Sequence, residues 1–96
     1  MVLPLVIEET ALFQFKFWLN NQIQDGMHYQ YEMFCRLHTV ASDKRARLYR
    51  CGCKLSQSGT PTIISLNEHS CSLWVSLRDP LVKLVLIDGI DLDLPS

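Results

Sequence analysis

The chain has 96 residues, 48% of them hydrophobic, so we expect one small domain with its own core. Nine basic and ten acidic residues give a formal net charge of -1, which does not steer the chain toward nucleic acid or an anionic membrane. The first residues lack a basic region, and no apolar run approaches the roughly 20 residues of a membrane span. We therefore expect a cytoplasmic protein with no membrane partner, whose four cysteines are thiols.

Two segments in the first forty residues alternate between apolar and polar side chains, as strands do. Residues 11–19 place three phenylalanines on one side, which favours a strand, although the two preceding glutamates would also suit the start of a helix. Residues 28–40 alternate throughout and are predicted to be one strand. The polar residues 20–26 are then predicted to connect the two strands of a hairpin.

The segment from about residue 42 to 57 is predicted to be the one helix. Ser42 is suited to capping its first turn, and Gly59 supplies a left-handed stop. Gly52 lies on the inner stripe and costs about 1 kcal/mol relative to alanine, unless the helix approaches a sheet closely there. The alternative is a strand, because apolar and polar residues also alternate from 49 to 55.

The last third of the chain predicts short elements separated by turn residues. Residues 62–66 form a strand, 67–70 a hairpin loop, and 71–78 a second strand that alternates closely. Residues 81–87 are a final apolar run, which is either a buried strand or a short helix.

Together these elements predict an α+β fold of two layers. One helix, at about 42–57, covers one face of an antiparallel sheet of four to five strands. Residues 1–87 form this single domain, and residues 88–96 form a C-terminal tail. A single helix covers only one side of a sheet, so the opposite face is the first place to expect a binding surface.

That opposite face combines aromatic and basic side chains. Trp18 and Trp74 each fall on the polar side of their strand, where a large indole needs an explanation. Six residues form the predicted partner-binding surface: Lys16, Trp18, Phe34, Arg36, Trp74 and Arg78. Aromatic and arginine side chains are enriched at interface hot spots. The alternative is that residues 81–96 fold over this face and make it a second small core.

The predicted function is that of a non-enzymatic interaction module or accessory subunit. It binds a protein partner, or a second copy of itself as a symmetric homodimer, through this face or through an edge strand at 81–87. Single-stranded nucleic-acid binding on the same face is the first alternative, because bases stack on aromatic side chains. The consensus run of RNA-recognition domains is absent from the sequence.

A small zinc-binding module is the second alternative. Cys51, Cys53, His69 and Cys71 offer four ligands of the kind that zinc accepts. On a helix, however, Cys51 and Cys53 would diverge by about 200°, and Cys35 and Cys71 fall on rows that face the core. No metal site, cofactor or catalytic residue is predicted, because the sequence contains no glycine-rich phosphate loop and no nucleophile with an assignable base.

Overall fold

The structure is a computed structural model, and it describes residues 3–87. The strands found there are β1 (Leu5–Glu8), β2 (Phe13–Leu19), β3 (Gln22–Tyr29), β4 (Glu32–Ala41), β5 (Thr62–Leu66) and β6 (Ser70–Ser76). The helices are α1 (Arg45–Gln57) and the short α2 (Pro80–Val82), which continues into a π-helical turn at Lys83–Ile87. Two 3-10 turns span Glu9–Ala11 and Ser42–Lys44.

The six strands form one mixed sheet in the order β1-β5-β6-β4-β3-β2. β1 runs parallel to β5, and the other neighbouring pairs are antiparallel. The α+β class is confirmed, but the predicted antiparallel sheet of four to five strands with one helix is wrong in number and in direction. Two strands were not predicted: β1, whose four residues are too few to show an alternating pattern, and β3, most of which lies in the predicted connection at 20–26.

α1 confirms the helix prediction, and it packs on β4, β5 and β6. Leu48 is fully buried against Ile64, and a Cβ on Gly52 would lie 3.1 Å from Ile64 Cδ1, so the helix does approach the sheet closely there. Gly59 ends this segment with a φ of 94°, as predicted. Ser42 does not cap the helix, because it lies in the preceding 3-10 turn.

Two tight turns correct the prediction around residue 28. Asn20 and Asn21 have φ values of 52° and 63°, and Gln30 and Tyr31 have φ values of 47° and 67°. Two consecutive positive values are typical of two-residue type I′ hairpins. The connection predicted at 20–26 is therefore only two residues long, and the single strand predicted at 28–40 is divided between β3 and β4.

The apolar run at 81–87 is helical. Asp79 caps α2 by accepting a hydrogen bond from the N–H of Leu81 at 2.9 Å, and Pro80 occupies the first position of the helix. Of the two predicted alternatives for this run, the short helix is confirmed and the buried strand is wrong, and so is the edge strand at 81–87 that was expected to bind a partner. This segment packs with Val75 and Cys35 on the same side of the sheet as α1. Residues 88–96, predicted to be a tail, lie outside the described residues.

Candidate interaction surface

The centre of the sheet face opposite α1 is covered. Trp74 is 0% exposed and Phe34 is 4% exposed, so the exposure predicted for both is wrong. They belong to a second core cluster with Met27, Ile63, Ile7, Leu12 and Tyr29. A second small core lies on this face, and the N-terminal residues Ile7 and Leu12 pack on it. The predicted alternative that residues 81–96 form this cover is wrong for residues 81–87, which pack on the α1 side. Stacking of bases on Phe34 and Trp74 would require this packing to open.

Arg36 lies over Trp74 and is occupied by contacts within the protein. Its guanidinium carbon is 4.5 Å from the centroid of the indole, and its side chain is 19% exposed. Nη1 donates to Ser72 Oγ at 2.8 Å, Nη2 donates to Glu9 Oε1 and Gln14 Oε1 at 3.0 Å each, and Nε is 3.1 Å from Asp25 Oδ2 in an ion pair. The positive charge is thus compensated by two carboxylates, and Arg36 joins the N-terminal turn to the sheet.

A β-bulge in β4 interrupts the alternation predicted for residues 28–40. Arg36 lies opposite Trp74, but the next paired residue is His38, which lies opposite Leu73. Leu73 belongs to the cluster beneath α1, so the bulge moves His38 to the α1 side. The sequence contains no glycine at this point that would have indicated the extra residue.

The exposed part of the predicted surface lies along β2. Trp18 is 71% exposed, and the side chain of Lys16 is 71% exposed although it forms an ion pair with Asp25. Trp18 lies opposite Ile23 of β3, which is 60% exposed, and Phe13 at the start of β2 is 70% exposed. We call Phe13, Lys16, Trp18 and Ile23 the β2 edge surface.

Phe13 and Ile23 were missed in the sequence, each for a structural reason. Phe13 shares a row with the half-buried Phe15 and Phe17, but α1 packs mainly on β4, β5 and β6, and Phe13 at the start of β2 is left exposed. Ile23 fell in the segment predicted to be a connection. Arg78, the last predicted site residue, is exposed in the turn after β6 and lines the same shallow cavity as Leu19, which places it near the end of β2.

β2 also presents free hydrogen-bonding groups, since in residues 3–87 it pairs only with β3. In a two-residue type I′ hairpin, the residues flanking the turn exchange both backbone hydrogen bonds, and so does every second pair beyond them. Leu19 flanks the Asn20–Asn21 turn, so the odd-numbered residues of β2 bond to β3. The backbone N–H and C=O groups that point away from the sheet are those of Gln14, Lys16 and Trp18.

All four cysteines are free thiols, and two of them have little access to solvent. Cys35 and Cys71 are buried, and Cys51 and Cys53 are half-buried on α1. Burial, and secondarily the charge of Asp25, raises the pKa of Cys35 to about 11, so this thiol is neutral at pH 7. No group of three or more histidine, cysteine, aspartate or glutamate side chains within residues 3–87 is placed to hold a metal ion.

Comparison of the chain with protein-family models, with curated proteins and with solved structures gave no match. Over the part of the chain that the structure describes, no helix has both the length and the apolar character needed to cross a membrane. A functional assignment therefore depends on the geometry of the described residues.

Proposed function

We propose that the protein is a non-enzymatic interaction module or accessory subunit that binds a protein chain by strand addition along β2. The observation that supports this is the β2 edge, a seven-residue strand with outward backbone groups and exposed apolar side chains. In strand addition, main-chain hydrogen bonds supply affinity and the flanking side chains supply specificity. A cytoplasmic setting is part of the proposal, because four free thiols suit a reducing compartment.

The two edges of the sheet differ in how well they are protected against pairing. Natural edge strands are commonly kept short or carry charges and prolines, because an open edge pairs readily with other chains. β1 has four residues, follows Pro4 and ends at Glu8. β2 has seven residues and one charge, that of Lys16, which is already paired with Asp25. The weak protection of β2 favours a strand that is used for binding.

The side chains around this edge define what the partner contacts. Trp18 and Ile23 form an apolar pair on the face opposite α1, and Phe13 lies on the α1 side. Lys16 and Arg78 contribute positive charge near the middle and the end of the strand. Three of the six residues predicted from the sequence belong to this proposed surface: Lys16, Trp18 and Arg78. The other three, Phe34, Arg36 and Trp74, pack within the protein and contribute to its fold.

Photo-crosslinking tests this function. We expect that p-benzoylphenylalanine in place of Trp18 crosslinks to a protein chain when the variant is made in the cell of origin, since a bound strand would lie within reach of position 18. The matched control replaces Tyr31, which is fully exposed at the tip of the β3–β4 hairpin and lies outside the proposed surface. Equal crosslinking from both positions, or none from position 18, would rule out the proposed surface.

A further inference from the structure

We infer that the chain which pairs with β2 is a second copy of this protein, an inference that rests on the proposed function. A two-fold axis beside β2 would place two copies of the strand antiparallel, so that the same residues contribute from both sides. The two sheets then join into one continuous sheet across the dimer. The sequence of β2 supports this arrangement because it is complementary to itself in one register.

Three two-fold registers pair at least two of the outward residues Gln14, Lys16 and Trp18 with each other, and they are centred on Phe15, Lys16 or Phe17. The register centred on Lys16 places two ammonium groups directly opposite each other, which is unfavourable. The register centred on Phe15 places Trp18 opposite Leu12 of the second copy, whose N–H is already bonded within its own 3-10 turn at 3.1 Å. The register centred on Phe17 separates the two lysines and pairs Lys16 with Trp18 twice, while Gln14 lies opposite Asn20 of the hairpin turn.

In the Phe17-centred register, lysine lies opposite tryptophan on the face away from α1, and apolar side chains lie opposite each other on the α1 side. Trp18 lies opposite Lys16 of the second copy, and the symmetry repeats this cation–π contact. On the α1 side, Phe17 lies opposite its own copy and Phe15 lies opposite Leu19. Both charged lysines are therefore placed beside indoles, and each also keeps its ion pair with Asp25.

The Phe17-centred register buries apolar area from both copies. Trp18 is 71% exposed, and an aromatic side chain of this kind buries about 150–250 Å². The two Trp18 side chains thus contribute on the order of 300 Å². The paired backbones and the Phe15, Phe17 and Leu19 side chains that face the second copy add to this, toward the roughly 1,200 Å² at which specific interfaces begin.

The mass of the purified full-length protein in solution tests the inference. We expect sedimentation to give twice the 11.1 kDa chain mass at micromolar concentration. Lys16→Pro should be monomeric, because its N–H points away from β3, so proline removes an outward donor and leaves the β2–β3 ladder intact. Trp18→Ala should raise the dimer dissociation constant by about tenfold or more, because two symmetric contacts are lost. Tyr31→Ala, which removes an exposed aromatic residue elsewhere, should remain dimeric.

Circular dichroism of each variant separates loss of the dimer from loss of the fold. If Lys16→Pro does not fold, the dimer dissociation constant of Trp18→Ala alone tests whether β2 forms the interface. A wild-type protein that is monomeric up to high micromolar concentration would overturn the inference. If position 18 still crosslinks to another protein in that case, strand addition stands and only the second copy is removed as its partner. A dimer that survives both Lys16→Pro and Trp18→Ala would place the interface elsewhere and overturn the inference as well.

Discussion

At the scale of single residues, the two tryptophans show how a shared sequence pattern leads to different environments. Both occupy the polar row of an alternating strand. Trp74 is buried because Arg36 covers its ring and its Nε1 donates to Ser65 Oγ at 2.9 Å. Trp18 is exposed because the N-terminal residues that cover Trp74 do not extend over β2. Alternation predicts which side of a strand a residue occupies, but it carries no information on what lies above it.

Trp74 and Trp18 should therefore differ in their effect on stability. Trp74→Ala should lower the free energy of unfolding by about 3–5 kcal/mol, because it leaves a large cavity in a closed core. Trp74→Phe should cost about 1–2 kcal/mol, since it leaves the buried Ser65 hydroxyl without its donor. Denaturant unfolding of dilute, monomeric protein measures both, with Trp18→Ala as the control that changes stability by less than about 0.5 kcal/mol. Equal losses for the two alanine variants would contradict the packing described.

At the scale of the elements, the sequence was informative where a local pattern determines the structure. β5 lies at 62–66 as predicted, and α1 ends at Gln57, two residues before the predicted left-handed Gly59. The same local information places the buried side of α1 and the core row of β6. The Asp79–Pro80 pair is also a local signal for the start of a helix. The apolar run after it, taken alone, is compatible with either a strand or a helix.

The β3–β4 turn was not predicted, because its two central residues are unusual for a turn of this geometry. Type I′ turns strongly prefer Asn-Gly, since both central residues have positive φ, yet here the residues are Gln30 and Tyr31. The alternation of 28–40 continues through the turn and conceals it. The bulge in β4 is likewise set by pairing with β6 rather than by a local signal.

This turn provides a test at the element scale. The double variant Gln30→Asn, Tyr31→Gly should raise the free energy of unfolding by about 1 kcal/mol, because it removes the cost of positive φ from residues that rarely adopt it. Tyr31 is fully exposed, so no packing is lost. Tyr31→Ala keeps a Cβ and the same φ, and should give no such gain. Destabilisation by the double variant, measured in urea, would show that the turn does not have this conformation.

At the scale of the whole molecule, residues 3–87 cover the two faces of the sheet unevenly. α1 and the 80–87 segment occupy one face, and the N-terminal residues close the centre of the other, so the exposed aromatic residues are concentrated along β2. The six predicted site residues divide accordingly. Lys16 and Trp18 lie at this margin, whereas Phe34, Arg36 and Trp74 are part of the protein's own packing. That division depends on contacts between residues 7–12 and strands far along the chain, which no local pattern specifies.

Amide hydrogen exchange, resolved by residue at two protein concentrations, tests most directly whether β2 pairs with another chain. Phe15 and Phe17 donate to β3, so their amides should exchange slowly at both concentrations. Lys16 and Trp18 donate outward, so their amides should exchange rapidly in dilute protein and slowly at the concentration where two copies associate. Rapid exchange of both amides in a sample that sediments as a dimer would contradict strand addition along β2.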